Sequence, residues 1–282
     1  MNYEQFVEKL QECIAKRLQE DEKVERQEVL KNNGQKLIGF TIQRQGETVV
    51  PIIYLEEFYQ RYLRGEKEEC LTEEIMLLRN SVAFSVCEEY GWIRDFQKIQ
   101  NRIVYRLVNF EKNSELLKEV PHLSMLDFAA IFCAIISEGI SLDYVLLIRN
   151  EHLQLWKIPI TVLYETARTN TPRRCPTIFR PISSFIGELG TPLWVLTNEQ
   201  GSYGASVLLY PGILQKIHEK LQDNYYLLPS SVHEFLILPK RHAAFCSDLK
   251  EIVFEANRTV IEQGEFLSDN IYYFNGNNIT KV

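Results

Sequence analysis

A chain of 282 residues with 45% hydrophobic and 24% charged side chains can bury a sizeable core, as one large domain or two smaller ones, and is far from disordered composition. Its formal charge of −7 excludes a general nucleic-acid binder, which needs clustered Lys and Arg against phosphates. Cys13, Cys70, Cys87, Cys133, Cys175 and Cys246 form no C-x-x-C pair and have no His at ligand spacing, so reduced thiols in a cytosolic protein are expected, with no metal and no cofactor. The opening Met-Asn-Tyr-Glu-Gln-Phe lacks a basic stretch followed by an apolar core, so no secretory signal is expected. The most apolar run, Leu126 to Ile136, is far short of the ~20 residues of a membrane span.

In chain order, Phe6, Val7, Leu10, Ile14 and Leu18 recur at helical intervals and predict an amphipathic opening helix over 3–18. Lys23 to Leu30 and Lys36 to Arg44 are β-prone, and Asn and Gly within 31–35 supply the positive φ of a hairpin turn. Val49 to Tyr54 reads as a third strand. Helices follow at Leu55 to Leu63, stopped by Gly65, and from Thr72 as N-cap through Ile75, Leu78 and Val82. The break at Glu88 to Lys98 marks a junction between an N-terminal unit, 1–95, with a helix and a three-stranded sheet, and a C-terminal α+β unit, 96–282.

In that second unit, Ile103 to Phe110 reads as a strand, Asn113 to Leu117 as a helical turn, and Leu123 to Ile136 as a strand that could become a helix. Tyr144 to Ile148 is a strand leading into a helix at Ile160 to Thr169. Thr171 to Gly190, with three prolines, reads as a long connection that could hold short helical pieces. Strands are expected at Leu193 to Leu196, Val207 to Leu209 and Ile271 to Phe274, the last before a polar Asn-rich tail. Helices are expected at Ile213 to Leu221 and Ser247 to Asn257, with Leu249, Ile252, Val253 and Ala256 inward. Strands mixed with helices without strict alternation favour an α+β fold, largely antiparallel, in two docked subdomains.

Between the last two helices lies Asp223 to Lys240, DNYYLLPSSVHEFLILPK, which reads as a strand pair or as strand, turn and short helix. It holds the densest set of Ser, His and Glu. If the segment continues as a strand, Ser231 and His233 share a face, a hydroxyl beside a base. The structural reading is stronger: Pro-Ser-Ser is turn and cap chemistry, and His233 with Glu234 can satisfy local backbone groups. His152 is a second candidate base, or a metal ligand paired with His233, although a His at a helix start is usually a capping or packing residue. His122 and His218 have weaker cases, with His218 expected on the polar side of its helix. Gly201, Gly204 and Gly212 do not follow a phosphate-loop order. If both segments are strands, Tyr225-Tyr226 and Tyr272-Tyr273 place one ring of each pair inward; the other either is exposed, where with Asp223 and Asp269 it would suit a protein-binding surface, or lies against a second layer of helices.

A family resemblance is carried by Leu30-Lys31-Asn32-Asn33-Gly34, Pro51-Ile52-Ile53-Tyr54-Leu55-Glu56-Glu57-Phe58-Tyr59, Asn109-Phe110-Glu111-Lys112-Asn113, Val120-Pro121-His122, Tyr210-Pro211-Gly212, Leu228 to Glu234 and Leu267-Ser268-Asp269. Together these resemble an uncharacterised bacterial family found mainly in Clostridia, domain-of-unknown-function family 5688. Leu193 to Leu238 is also distantly similar to the YtpQ-type family of unknown function. The resemblance implies a cytoplasmic bacterial protein and assigns no activity, cofactor or catalytic residue. The functional expectation is a non-catalytic protein-interaction module, with an unidentified protein partner, no membrane association and an open oligomeric state. The alternatives are a hydrolase-like enzyme using Ser230 or Ser231 with His233, and an accessory protein of mobile-element or phage conflict, which rests on no residue.

Overall fold

The computed structural model describes residues 1–47, 50–86, 90–136, 145–187, 192–245 and 249–282. The expectations for Val49, Cys87, Glu88, Tyr144, Gly190, Cys246 and Ser247 lie outside these residues, as do those for the side chains of Val82, Leu249, Ile252 and Ala256. Two compact units are formed, one from 1–31 with 35–94, the other from 32–34 with 95–282.

The first unit opens with α1 (Tyr3–Ala15), whose N-terminus is closed by a capping box between Asn2 and Gln5. Next come β1 (Glu22–Leu30), β2 (Lys36–Arg44) and β3 (Ile53–Tyr54), an antiparallel sheet in the order β1-β2-β3. The unit ends with α2 (Glu56–Leu63) and α3 (Glu68–Val86). Its core joins Phe6, Val7, Leu10 and Ile14 of α1 to Phe40 and Ile42 of β2, Leu55, Phe58, and Leu71 and Ile75 of α3. Helical spacing on α1 and strand alternation on β2 therefore meet in one apolar layer. One expectation is corrected: α3 starts at Glu68, so Thr72 is not its N-cap. The fully buried Thr72 hydroxyl instead donates to the Glu68 carbonyl.

The second unit contains α4 (Phe96–Ile99), β4 (Ile103–Asn109), α5 (Ser114–Glu119), β5 (His122–Met125), β6 (Phe128–Ile135), β7 (Val145–Leu147), α6 (Asn150–Trp156) and α7 (Ile160–Arg174). It continues with β8 (Thr177–Pro181), α8 (Ser183–Ile186), β9 (Trp194–Asn198), α9 (Ile213–Leu221), β10 (Tyr225–Ser231), β11 (Glu234–Pro239), α10 (Leu249–Thr259), β12 (Tyr272–Phe274) and β13 (Ile279–Lys281). In one sheet the buried β6 pairs with β4 along one side and with β5 and then β7 along the other. A six-stranded sheet runs β13-β12-β10-β11-β9-β8. Every strand pairing among the described residues is antiparallel, so the fold is α+β.

Four expectations change here. The apolar stretch 123–136 is two strands around a turn at Leu126 and Asp127, because Leu126 takes φ 56 without a glycine to announce it. Val207 to Leu209 belongs to a 3-10 helix, Gly204–Leu209. A short apolar run that is buried all round carries no period to tell strand from helix. α7 continues through Pro172 to Arg174, held by tertiary bonds: Asn170 Nδ2 donates to the Ile103 carbonyl and Thr171 Oγ1 accepts from Tyr105 N–H. The connection expected after Thr171 therefore holds the end of α7 and a strand, β8, beside the short helical piece α8 that the sequence reading allows, and the polar tail contributes β13.

Candidate functional site

Asp223 to Lys240 folds as the strand-pair reading has it, with β10 and β11 the two central strands of the six-stranded sheet. Pro229 sits where the register shifts and beyond the last residue that pairs with β12, so its missing N–H removes no ladder bond. The strand stops at Ser231, and Val232 and His233 make the turn, so Ser231 and His233 do not share a strand face. Ser231 Oγ instead accepts the backbone N–H of His233 at 3.0 Å.

Each polar group at this turn has a partner. Val232 N–H donates to the Glu265 carbonyl, and the Val232 carbonyl accepts from Ala205 N–H. Thr197 Oγ1 donates to the His233 carbonyl at 2.8 Å. The imidazole Nδ1 accepts from Tyr203 N–H at 3.2 Å, which leaves Nε2 to donate to Glu265 Oε1 at 3.2 Å. The loop that meets the turn passes so close that a Cβ on Gly204 would lie 2.1 Å from Thr197 Oγ1 and 2.3 Å from the His233 carbonyl oxygen. Tyr203, at φ 48, stacks its ring under the Arg106 guanidinium at 4.0 Å. Ser231 and His233 are thus brought together, but hydroxyl meets amide rather than imidazole. Ser230 and Glu234 flank the turn, half-buried.

The other candidates are placed elsewhere. His152 Nδ1 accepts the Arg149 N–H at the start of α6, and its ring stacks on Trp156. Burial holds this imidazole below its usual range. His122 Nδ1 meets the Val120 carbonyl. His218 departs from expectation: its half-buried ring sets its edge against Phe274, and Nδ1 is buried without a hydrogen-bond partner among the described residues. Among the described residues no group of His, Cys, Asp and Glu is placed to hold a metal ion.

The tyrosine pairs alternate as strands require. Tyr225 and Tyr272 are fully buried, while Tyr226 and Tyr273 stand opposite each other with ring centroids 5.0 Å apart. Neither outer ring is exposed; both are half-buried. Tyr226 packs against the cluster of Leu228, Val253 and Ile271, and Tyr273 Oη accepts from Asn224 Nδ2. Asp223 accepts the Arg241 N–H at 2.9 Å, at the end of the β10–β11 hairpin away from its turn.

Two polar clusters escaped the sequence reading, although the motifs behind the family resemblance run through both. Asn113 Nδ2 donates to Asn32 Oδ1, Asn33 Oδ1 and the Asn109 carbonyl, and Asn33 Nδ2 to the carbonyls of Gln263 and Phe266. Asp127 accepts from Ser268 Oγ at 2.6 Å, from Asn270 Nδ2 at 2.8 Å and from the Tyr272 hydroxyl. Burial alone would raise its pKa, but these three donors outweigh it and hold the carboxyl below its usual range. Carboxamides and hydroxyls saturated this way fix backbone segments and leave no reactive group poised.

Exposed large apolar side chains among the described residues include Val260 at 80%, Leu77 at 68%, Leu155 at 52%, Leu126 at 44% and Phe110 at 40%; of these, Leu126 and Phe110 are tied through the Phe110 N–H, which donates to the carbonyl of Asp127, next to Leu126 in the chain. No described helix is long and apolar enough to cross a membrane.

Compared with protein families, residues 3–276 match one described as a family of unknown function, DUF5688. Nothing matches among the curated proteins or among the solved structures.

Proposed function

From the premise that the chain belongs to the DUF5688 family, which the match over nearly its whole length establishes, we propose a non-catalytic role: binding another protein in the cytoplasm of a bacterium. The motif resemblance favours a Clostridial host and a distant tie to the YtpQ-type family.

Leu126 carries the reading. It occupies a left-handed turn position, φ 56, that costs an L-residue about 1–2 kcal/mol and that Gly or Asn fills more cheaply. It also leaves an aliphatic side chain 44% exposed, one residue from the Asp127 carbonyl that accepts the N–H of the exposed Phe110. A residue that is poor for the turn and poor for solvent serves contact with something else. Against the hydrolase alternative, both nitrogens of the His233 imidazole and the Ser231 hydroxyl are engaged in holding a turn. The mobile-element role gains no residue.

The test is comparative capture. Wild-type chain and the double variant Leu126→Asn with Phe110→Ser are immobilised against a Clostridial extract, and retained proteins are quantified by mass spectrometry. Asn tolerates the left-handed turn, so the variant should stay folded by circular dichroism while losing a defined set of proteins. Identical retained sets would end this reading.

A further inference from the structure

The first unit leaves a strand edge open. Lys31 N–H donates to Gln35 O and Gln45 N–H to Asp21 O, which sets the ladder's phase: odd-numbered residues of β1 face β2, and even-numbered ones face away. The backbone N–H and C=O groups of Val24, Arg26, Glu28 and Leu30 therefore point out of the sheet, and none bonds to a described residue. β1 is nine residues long, and unpaired edges of this length are normally shortened, bulged or covered.

A groove of about 640 Å³ opens beside that edge, between the outer flank of α1 and the start of β1. Ala15, Leu18 and Val24 supply its apolar surface, and Glu8, Glu12, Glu20 and Glu22 its charge, against Lys23 alone. Two of the charges are already balanced: Glu22 by Arg44 and Arg79, and Lys23 by Glu25. Glu8, Glu12 and Glu20 are exposed and form no ion pair among the described residues.

We propose that this edge and groove receive an extended basic peptide, which adds as a further strand to β1 and lays its Lys or Arg side chains along α1. The backbone supplies the ladder. The lysine stems cover Ala15, Leu18 and Val24, while the ammonium groups reach Glu8, Glu12 and Glu20. An acidic or helical partner would satisfy one set of groups and leave the other without partners. The proposal rests on the protein-binding reading and names a partner class and a surface for it on the first unit, whereas Phe110 and Leu126 belong to the second.

The probe is a fluorescein-labelled peptide of four Thr-Lys repeats, titrated against the full chain by fluorescence anisotropy at about 0.1 M salt. Binding is expected, with slowed hydrogen exchange at the amides of Val24, Arg26 and Glu28. Arg26→Pro removes an outward donor, and the same peptide with alternate backbone nitrogens methylated removes the reciprocal one; each should weaken binding about tenfold or more. The triple variant Glu8→Gln, Glu12→Gln, Glu20→Gln should weaken it several-fold, and a Thr-Glu peptide should not bind. Equal affinity for the methylated peptide, or protection elsewhere than β1, would overturn the proposal even if Arg26→Pro failed to fold. Failure here leaves the capture test at Phe110 and Leu126 to be judged by itself, so the two readings fall separately.

Discussion

Two hairpins in this chain start from the same local device and end in opposite surroundings. β1 and β2 pair over nine residues and leave β1 with an unpaired edge. β10 and β11 lie at the centre of six strands, and the backbone of their turn is bonded by Glu265, Ala205, Ser231 and Thr197. Even the edge strand β8 of the larger sheet is blunted. Its outward residues are Thr177, Phe179 and Pro181; the proline has no N–H, and Lys220 Nζ donates to the Phe179 carbonyl at 3.1 Å. Where this protein needs a closed sheet it spends side chains on closing it, so the open edge of β1 reads as a feature kept for use.

If the strapped hairpin is held by fit, the largest effect comes from filling the gap at Gly204. Gly204→Ala sets a methyl group within 2.1 Å of Thr197 Oγ1 and 2.3 Å of the His233 carbonyl oxygen, so two bonded segments must separate. A loss of about 3 kcal/mol or more is expected from urea unfolding midpoints. A loss under about 1 kcal/mol would mean the turn is not tightly held.

Asp127→Asn comes next, because the side chain loses its charge while facing the Ser268, Asn270 and Tyr272 donors; the expected cost at neutral pH is about 1–3 kcal/mol. The sign with pH follows from the lowered pKa. Wild type keeps this contribution above the ordinary carboxylate value of 3.8 and loses it as pH falls through the lower folded value. The gap between wild type and Asp127→Asn should therefore narrow from pH 6 towards pH 3. A gap that is constant over that interval would remove the carboxylate from the explanation.

His233→Ala should cost about 1–2 kcal/mol, since the Tyr203 N–H and Glu265 lose one partner each at a half-buried position. An unchanged unfolding midpoint would separate His233 from the fastening role and return it to the catalytic candidates.

The difference between the hairpins was half legible. The β1–β2 turn could be read from Asn33-Gly34 because positive φ there, 59 and 72, uses residues that adopt it readily. The turn at Leu126 could not, because leucine gives no such signal. Pro229-Ser230-Ser231 announced a turn near His233, but its partners Thr197, Tyr203, Ala205 and Glu265 are 27 or more residues away in sequence from the turn residues they bond, and no spacing rule links them. Alternation alone leaves Tyr226 either exposed or covered by helices. Alternation fixes which face a ring takes, but whether Val253 and Ile271 cover that face is a tertiary fact. Phase along β1 is likewise set by the ladder, so no reading of residue types could show which amides face outward.

That phase gives the smallest and most discriminating prediction. Proline at position 26 removes an N–H that bonds nothing, whereas proline at position 27 removes one directed at Gly39. Arg26→Pro also loses the exposed pair with Glu4, worth little in water, so its total cost should stay below about 1 kcal/mol. Gln27→Pro should cost about 3 kcal/mol by breaking the ladder. Comparable losses at both positions in denaturant titrations would mean that β1's edge is covered, and the contrast between an open hairpin and a strapped one would disappear.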